Sequence, residues 1–164
     1  MENILLQKDH DYLADLKEEI ERESKELTRK LGEYAAHGGA VPFQIPEYQA
    51  TDDRLRVLKD RFYQVNKVLK SSRVVRLEEI NEKIVGFYCL VETKNVDTGQ
   101  TEKYYIINSE IIDRLNLGGD VFTVSPKSLV GQALMGKKSG NVIKINLPKS
   151  TKTLKIIHFK KKEY

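Results

Sequence analysis

The chain has 164 residues, 32% charged and 40% hydrophobic, with a net charge of +4, which leaves room for one ordinary domain or two small ones. No apolar run approaches the roughly 18–20 residues a membrane-spanning helix needs, and residues 1–13 are too acidic and too short in apolar side chains for a secretory signal. The single cysteine, Cys89, excludes an internal disulfide, so a protein of the reducing cytoplasm is expected, with Cys89 as a small strand residue.

The first half repeats on a helical period. From Asp11 to Ala36 there is no proline and one glycine, Gly32. Leu13, Ile20, Leu27 and Tyr34 stand seven apart, Leu16 and Leu31 lie beside them, and Glu23 and Ser24 interrupt the stripe. Charged residues fill most other positions, which predicts a long helix with one narrow apolar seam, capped by Asp9 or Asp11. The stretch from His37 to Pro46 holds two glycines and two prolines and reads as a turn. A second heptad run follows, with Tyr48, Leu55, Phe62 and Leu69 in one seam position and Leu58 and Val65 in the other. Two such helices joined by a short loop fold back antiparallel. At 1.5 Å per residue a 25-residue helix is about 37 Å long, so the hairpin carries its tip far from its base. The seam aromatics read as packing residues.

From Arg73 the period changes. Short β-branched or aromatic runs at Val74–Val75, Ile84–Val91, Tyr104–Asn108, Val121–Val124, Val142–Leu147 and Leu154–Phe159 predict strands. Turn signals separate them at Asp97-Thr98-Gly99, Gly118-Gly119-Asp120, Ser139-Gly140-Asn141 and Pro148-Lys149-Ser150. Ser128–Met135 suits one or two helical turns. The fold class expected is α+β. An antiparallel coiled-coil hairpin occupies residues 1–72, with its tip at about 37–47. A small curved antiparallel sheet with a short helix occupies residues 73–164. Charge divides the same way: residues 1–70 hold 12 basic and 14 acidic side chains, residues 71–164 hold 16 and 10. The basic half suits nucleic acid or an acidic protein face, or is simply a solvated surface.

Signals of a self-contained catalyst are absent. His10, His37 and His158 lack metal-site spacing, and Cys89 has no nearby partner. Gly136-Lys137-Lys138-Ser139-Gly140 lacks the upstream glycine of a phosphate loop and reads as a basic turn. No cofactor is expected and the chain is not read as an enzyme.

Three stretches carry a resemblance. Gly131-Gln132-Ala133-Leu134-Met135-Gly136-Lys137-Lys138-Ser139-Gly140-Asn141-Val142 is similar to the G-x-A-L-L-G-K-x-x-G-D-x-V segment of the GreA/GreB transcription elongation factors. Asn95-Val96-Asp97-Thr98-Gly99 resembles that family's N-L-D-T-G hairpin, and Glu47-Tyr48-Gln49-Ala50 opens the second helix as the family's E-Y-x-A does. The resemblance implies an FKBP-like C-terminal domain that docks on the rim of the RNA polymerase secondary channel. It implies a coiled coil that enters the channel, close to nucleic acid. From the residues themselves a monomer is expected, since a hairpin that closes its own seam needs no partner helix, and no membrane partner is expected, since no apolar run is long enough. In ordinary members two acids of a D-L-x-E-N-A-E-Y tip motif help hold the second catalytic Mg²⁺, a hard ion that prefers oxygen ligands.

This chain departs there. Anchored on Glu47-Tyr48 the two acids fall at Val41 and Gln44; anchored on His37-Gly38 they fall at Gly39 and Pro42. No Asp or Glu occurs from Gly38 to Pro46. Strong stimulation of transcript cleavage is therefore not expected, the alternative being a cleavage factor to which Glu47 contributes. Val41, Phe43 and Ile45, with Gln44 among them, form an apolar loop stiffened by Pro42 and Pro46. That loop is either a wedge in the channel or the closure of the coiled-coil end. A second departure concerns docking. The family's Ser-Pro precedes the G-x-A-L segment closely, whereas Ser125-Pro126 lies three residues too early, and Ser128-Leu129 occupies its position before Gly131. An isomerase or chaperone role and a nucleic-acid-binding module are the lesser alternatives; a likeness of fold is not evidence of activity.

Overall fold

The computed structural model describes residues 3–37, 45–115, 117–148 and 150–164. The chain forms two compact units, Met1–Arg73 and Val74–Tyr164. No helix among the described residues is long and apolar enough to cross a membrane.

The first unit opens with strand β1, Asn3–Leu6, which runs directly into helix α1, Gln7–His37. Helix α2 spans Pro46–Ser71. The helix therefore starts ahead of both expected caps: Asp9 lies in its first turn, where a carboxylate favours the positive end of the helix dipole. Pro46 occupies the opening of α2, where its missing N–H is not needed. The helices run antiparallel, since partners advance along one as they recede along the other. Lys17 lies 5.6 Å from the Phe62 ring centroid, and Glu23 meets the Arg54 Nε at 3.0 Å. Glu23, which interrupts the apolar stripe, thus holds a cross-helix partner. The seam buries Leu13, Ile20, Leu55, Leu58, Val65 and Val68. Val68 takes the buried place expected of Leu69, which is half-buried. Strand β2, Ser72–Val75, pairs with β1 in a two-stranded sheet that the sequence reading did not foresee.

The second unit is a five-stranded sheet of order β5-β4-β3-β7-β6. Its strands are β3 Cys89–Asn95, β4 Thr101–Ile106, β5 Val121–Val124, β6 Val142–Leu147 and β7 Ser150–Lys161. Two short helices accompany it, α3 Ser109–Ile112 and α4 Leu129–Leu134. The sheet is not antiparallel throughout: β4 and β5 pair in parallel, with Lys103 opposite Val121 and Ile106 opposite Val124. The connection through α3 is long enough to return the chain to the same end of the sheet, as parallel pairing requires. The strand expected at Ile84–Val91 begins only at Cys89. Tyr88 takes φ +59° and is fully buried, and its backbone N–H bonds the Ile106 carbonyl at 2.7 Å. The apolarity of residues 84–88 therefore reflects burial rather than extended pairing.

One face of the sheet carries the core: Val85, Cys89, Val91, Tyr104, Ile106, Leu134, Ile143, Ile145, Leu154 and Ile156. Leu134 is the contribution of α4, and each such buried side chain is worth about 1.5–3 kcal/mol of apolar transfer. Burial pushes the Cys89 thiol up from its ordinary range, which keeps it protonated and unreactive.

Candidate functional site

The segment between β5 and α4 is a built turn. Pro126 fixes its backbone, and the Ser125 side chain accepts a bond from the Lys127 N–H at 3.1 Å. The Ser128 hydroxyl donates to the Ser125 carbonyl at 2.7 Å and accepts from the Gly131 N–H at 3.0 Å. Ser128 is thus the N-cap of α4 and also the tie that folds Ser125 back onto the helix. Gln132 adds a bond from its Nε2 to the Lys127 carbonyl at 2.7 Å. Gly131 makes the closeness possible: a Cβ there would lie 2.0 Å from the Ser125 carbonyl oxygen. Ser125, Pro126, Ser128, Leu129 and Gly131 thus lie in one turn.

Leu129 stands at the start of α4, 52% exposed, while Leu134 of the same helix is fully buried. Phe122 on the edge strand β5 is 57% exposed, its ring centroid 5.7 Å from that of Tyr104. The sequence reading did not single out Phe122; an aromatic on an outermost strand is visible only once the strand order is known. At the far end of α4, Gly136 takes φ +75°, the left-handed conformation of a helix C-terminus. Its N–H bonds the Val85 carbonyl at 2.8 Å, and the Val85 N–H bonds the Lys137 carbonyl at 2.8 Å. The glycine-bearing segment from Gly131 to Gly140 is thus the frame that locks α4 to the sheet.

In the first unit, Val41, Phe43 and Gln44 lie outside the described residues. Ile45 is the N-cap residue of α2, in extended conformation, and its carbonyl accepts from the Gln49 N–H at 3.2 Å. Glu47 is exposed in the first turn of that helix. Further along, Asp52 is paired with Arg56 at 2.7 Å. Among the described residues no three His, Cys, Asp or Glu side chains converge in a way that could hold a metal ion.

The family model for the C-terminal region of the transcription elongation factors GreA and GreB matches residues 80–161, half of the chain. The chain belongs to the GreA/GreB family. The match takes in the whole five-stranded sheet, the turn at Ser125 and helix α4. Relatives include the transcription elongation factor GreA of Clostridium kluyveri, 28% identical over 137 residues, 84% of this chain and 82% of the relative. The GreA of Lachnoclostridium phytofermentans is 28% identical over 151 residues, 92% and 88% of the two chains. Among solved structures, GreA factor homolog 1 of Thermus thermophilus is 17% identical, covers 98% of this chain and 99% of its own, and gives a TM-score of 0.47. A GreA/GreB factor from Nitrosomonas europaea is 19% identical over 65% of this chain and 89% of its own, with a TM-score of 0.39.

For this GreA/GreB-family chain, Ser128→Ala removes both the cap and the tie to Ser125. It is expected to cost about 1 kcal/mol, measured as a lower urea midpoint with an unchanged m-value.

Proposed function

We propose that this transcription elongation factor binds RNA polymerase at the secondary channel and modulates transcription without strongly stimulating transcript cleavage. The observation that carries this reading is the acid-free stretch from Gly38 to Pro46. A tip that helps hold Mg²⁺ needs carboxylates, because a hard cation is held by charged oxygen and a neutral Gln44 offers only a carbonyl. In this reading the chain is no enzyme; it works as a cytoplasmic monomer whose two helices close their own seam. The turn from Ser125 to Gly131 is the docking element. Its backbone is tied by the bonds of Ser125, Ser128 and Gly131, and it leaves Leu129 exposed to a partner. Val41, Phe43 and Ile45 then occupy the channel as an apolar wedge.

Glu47, exposed at the opening of α2, supports a second reading, a cleavage factor acting on backtracked polymerase to which Glu47 contributes beside an acid of the polymerase.

The test combines capture of native RNA polymerase with a stalled, backtracked elongation complex. Binding without new RNA cleavage is expected, and Leu129→Ala is expected to weaken capture while leaving the melting temperature unchanged. Val41→Asp with Gln44→Glu is expected to create cleavage. Failure to capture polymerase overturns the docking assignment. Robust cleavage by the unaltered chain overturns the inert tip, and its loss in Glu47→Gln then assigns the activity to Glu47.

A further inference from the structure

The face of the five-stranded sheet opposite the core carries a cluster of lysines that docking and the tip leave unexplained. Strand alternation and pairing place Lys144 of β6, Lys155 of β7, Lys94 of β3 and Lys103 of β4 on this face, and all four are exposed. They span four adjacent strands, about 14 Å at the usual strand spacing. His158 is exposed on the same face, opposite Glu92. Glu92 is the one acid these strands place here; Glu102 faces the core side, bound to Lys152. Among the described residues none of the four lysines has an ion-pair partner.

Two of them oppose each other directly. Lys94 and Lys155 are cross-strand partners, an arrangement of like charge that costs stability in the free protein. A polyanion laid on the face would relieve that repulsion.

The composition of the face narrows the partner. Its cations are lysines without arginine, and lysine is depleted from protein–protein contacts while arginine and aromatics are enriched there. No exposed aromatic stands among Thr101, Thr151, Thr153, Lys144 and Lys155, so it offers no platform on which single-stranded bases could stack. Lysines act as point charges that meet phosphates without reading bases. We infer that this sheet face binds the phosphate backbone of double-stranded nucleic acid without sequence preference, a contact separate from the turn and the tip.

The experiment is fluorescence anisotropy of the full chain with a labelled 20-base-pair DNA duplex, an RNA–DNA hybrid of the same sequence, and polyglutamate at equal charge as competitor. Both duplexes are expected to bind within tenfold of each other, and polyglutamate to compete poorly. Lys94→Gln/Lys144→Gln/Lys155→Gln is expected to weaken binding at least tenfold. It should also flatten the plot of log affinity against log salt by about 2.7, that is, 0.9 for each of three lost phosphate contacts. Lys25→Gln/Lys59→Gln/Lys137→Gln loses the same charge elsewhere and is expected to bind as the unaltered chain does. Circular dichroism establishes that both triple variants fold. Absent duplex binding overturns the inference. So does equal loss in the two variants, or competition by polyglutamate as strong as by duplex, which would mark an acidic protein partner instead.

Discussion

Gly131→Ala is expected to be the most damaging single-methyl change in the second unit, at about 3 kcal/mol. The added Cβ would meet the Ser125 carbonyl oxygen at 2.0 Å, its carbon at 2.8 Å and the Pro126 Cα at 3.0 Å. These are backbone atoms, so no rotamer change relieves the clash. If the turn lifts away, the Ser128 N–H and hydroxyl both lose the Ser125 carbonyl they share. If the helix moves instead, Leu134 is drawn out of the core one turn later. For a unit of this size the loss corresponds to a fall in Tm of roughly 12–24 °C. Gly32→Ala is the control: a Cβ there meets nothing within 4 Å on an exposed helical site, so that change is expected to be neutral or mildly stabilising. Equal melting temperatures for Gly131→Ala and the unaltered chain would overturn the packing account of this glycine.

That contrast also marks what could be read from the sequence. The G-x-A-L pattern flags Gly131, but the reason for glycine lies in a through-space approach that spacing does not encode. The heptad seams were legible because a helix writes its buried face at a fixed period, and the strands at Val121–Val124 and Val142–Leu147 because turn residues bracket them. Strand β1 was not legible: Asn3–Leu6 is four residues long, and its partner β2 lies far along the chain. The start of β3 was misplaced because Ile84–Tyr88 is apolar for burial, with Tyr88 in a left-handed conformation that no local signal announces. The parallel pairing of β4 with β5 depends on how the α3 connection returns, not on either strand's own residues. At the candidate site, the sequence singles out Ser125, Pro126, Ser128, Leu129 and Gly131, yet the tie from Ser128 to Ser125 emerges only with coordinates. The tip residues Val41, Phe43 and Gln44 lie outside the described residues, so their reading remains one from chemistry and register.

Lys152→Met is expected to cost about 2–3 kcal/mol at neutral pH by leaving a largely buried carboxylate without its counter-ion. The Lys152 Nζ bonds both Glu102 oxygens at 2.6 Å, across the intervening strand β3, and the two side chains are only 25% and 16% exposed. The Tyr104 hydroxyl donates to the same carboxylate. Burial alone would raise the Glu102 carboxyl, but the bonds from Lys152 and Tyr104 and the lysine's charge outweigh it and hold the group below its ordinary value of 4.5. Tyr104 moves the other way: burial, then its bond to Glu102 and the adjacent negative charge, raise the phenol well above the usual tyrosine range. The sign of the pH effect follows from the carboxyl. A group depressed in the folded state stabilises it above the unfolded value, near 4.5, and that contribution disappears as pH falls through the folded value. In Lys152→Met the effect of burial is opposed only by the bond from Tyr104, so Glu102 takes up its proton at higher pH than in the unaltered chain. Urea unfolding at pH 7 should therefore show the full gap between the two proteins, and the gap should narrow as pH falls through the depressed folded value of Glu102, where both proteins come to carry it protonated. A gap independent of pH would mean that Lys152 matters through the packing of its aliphatic stem, not through its charge.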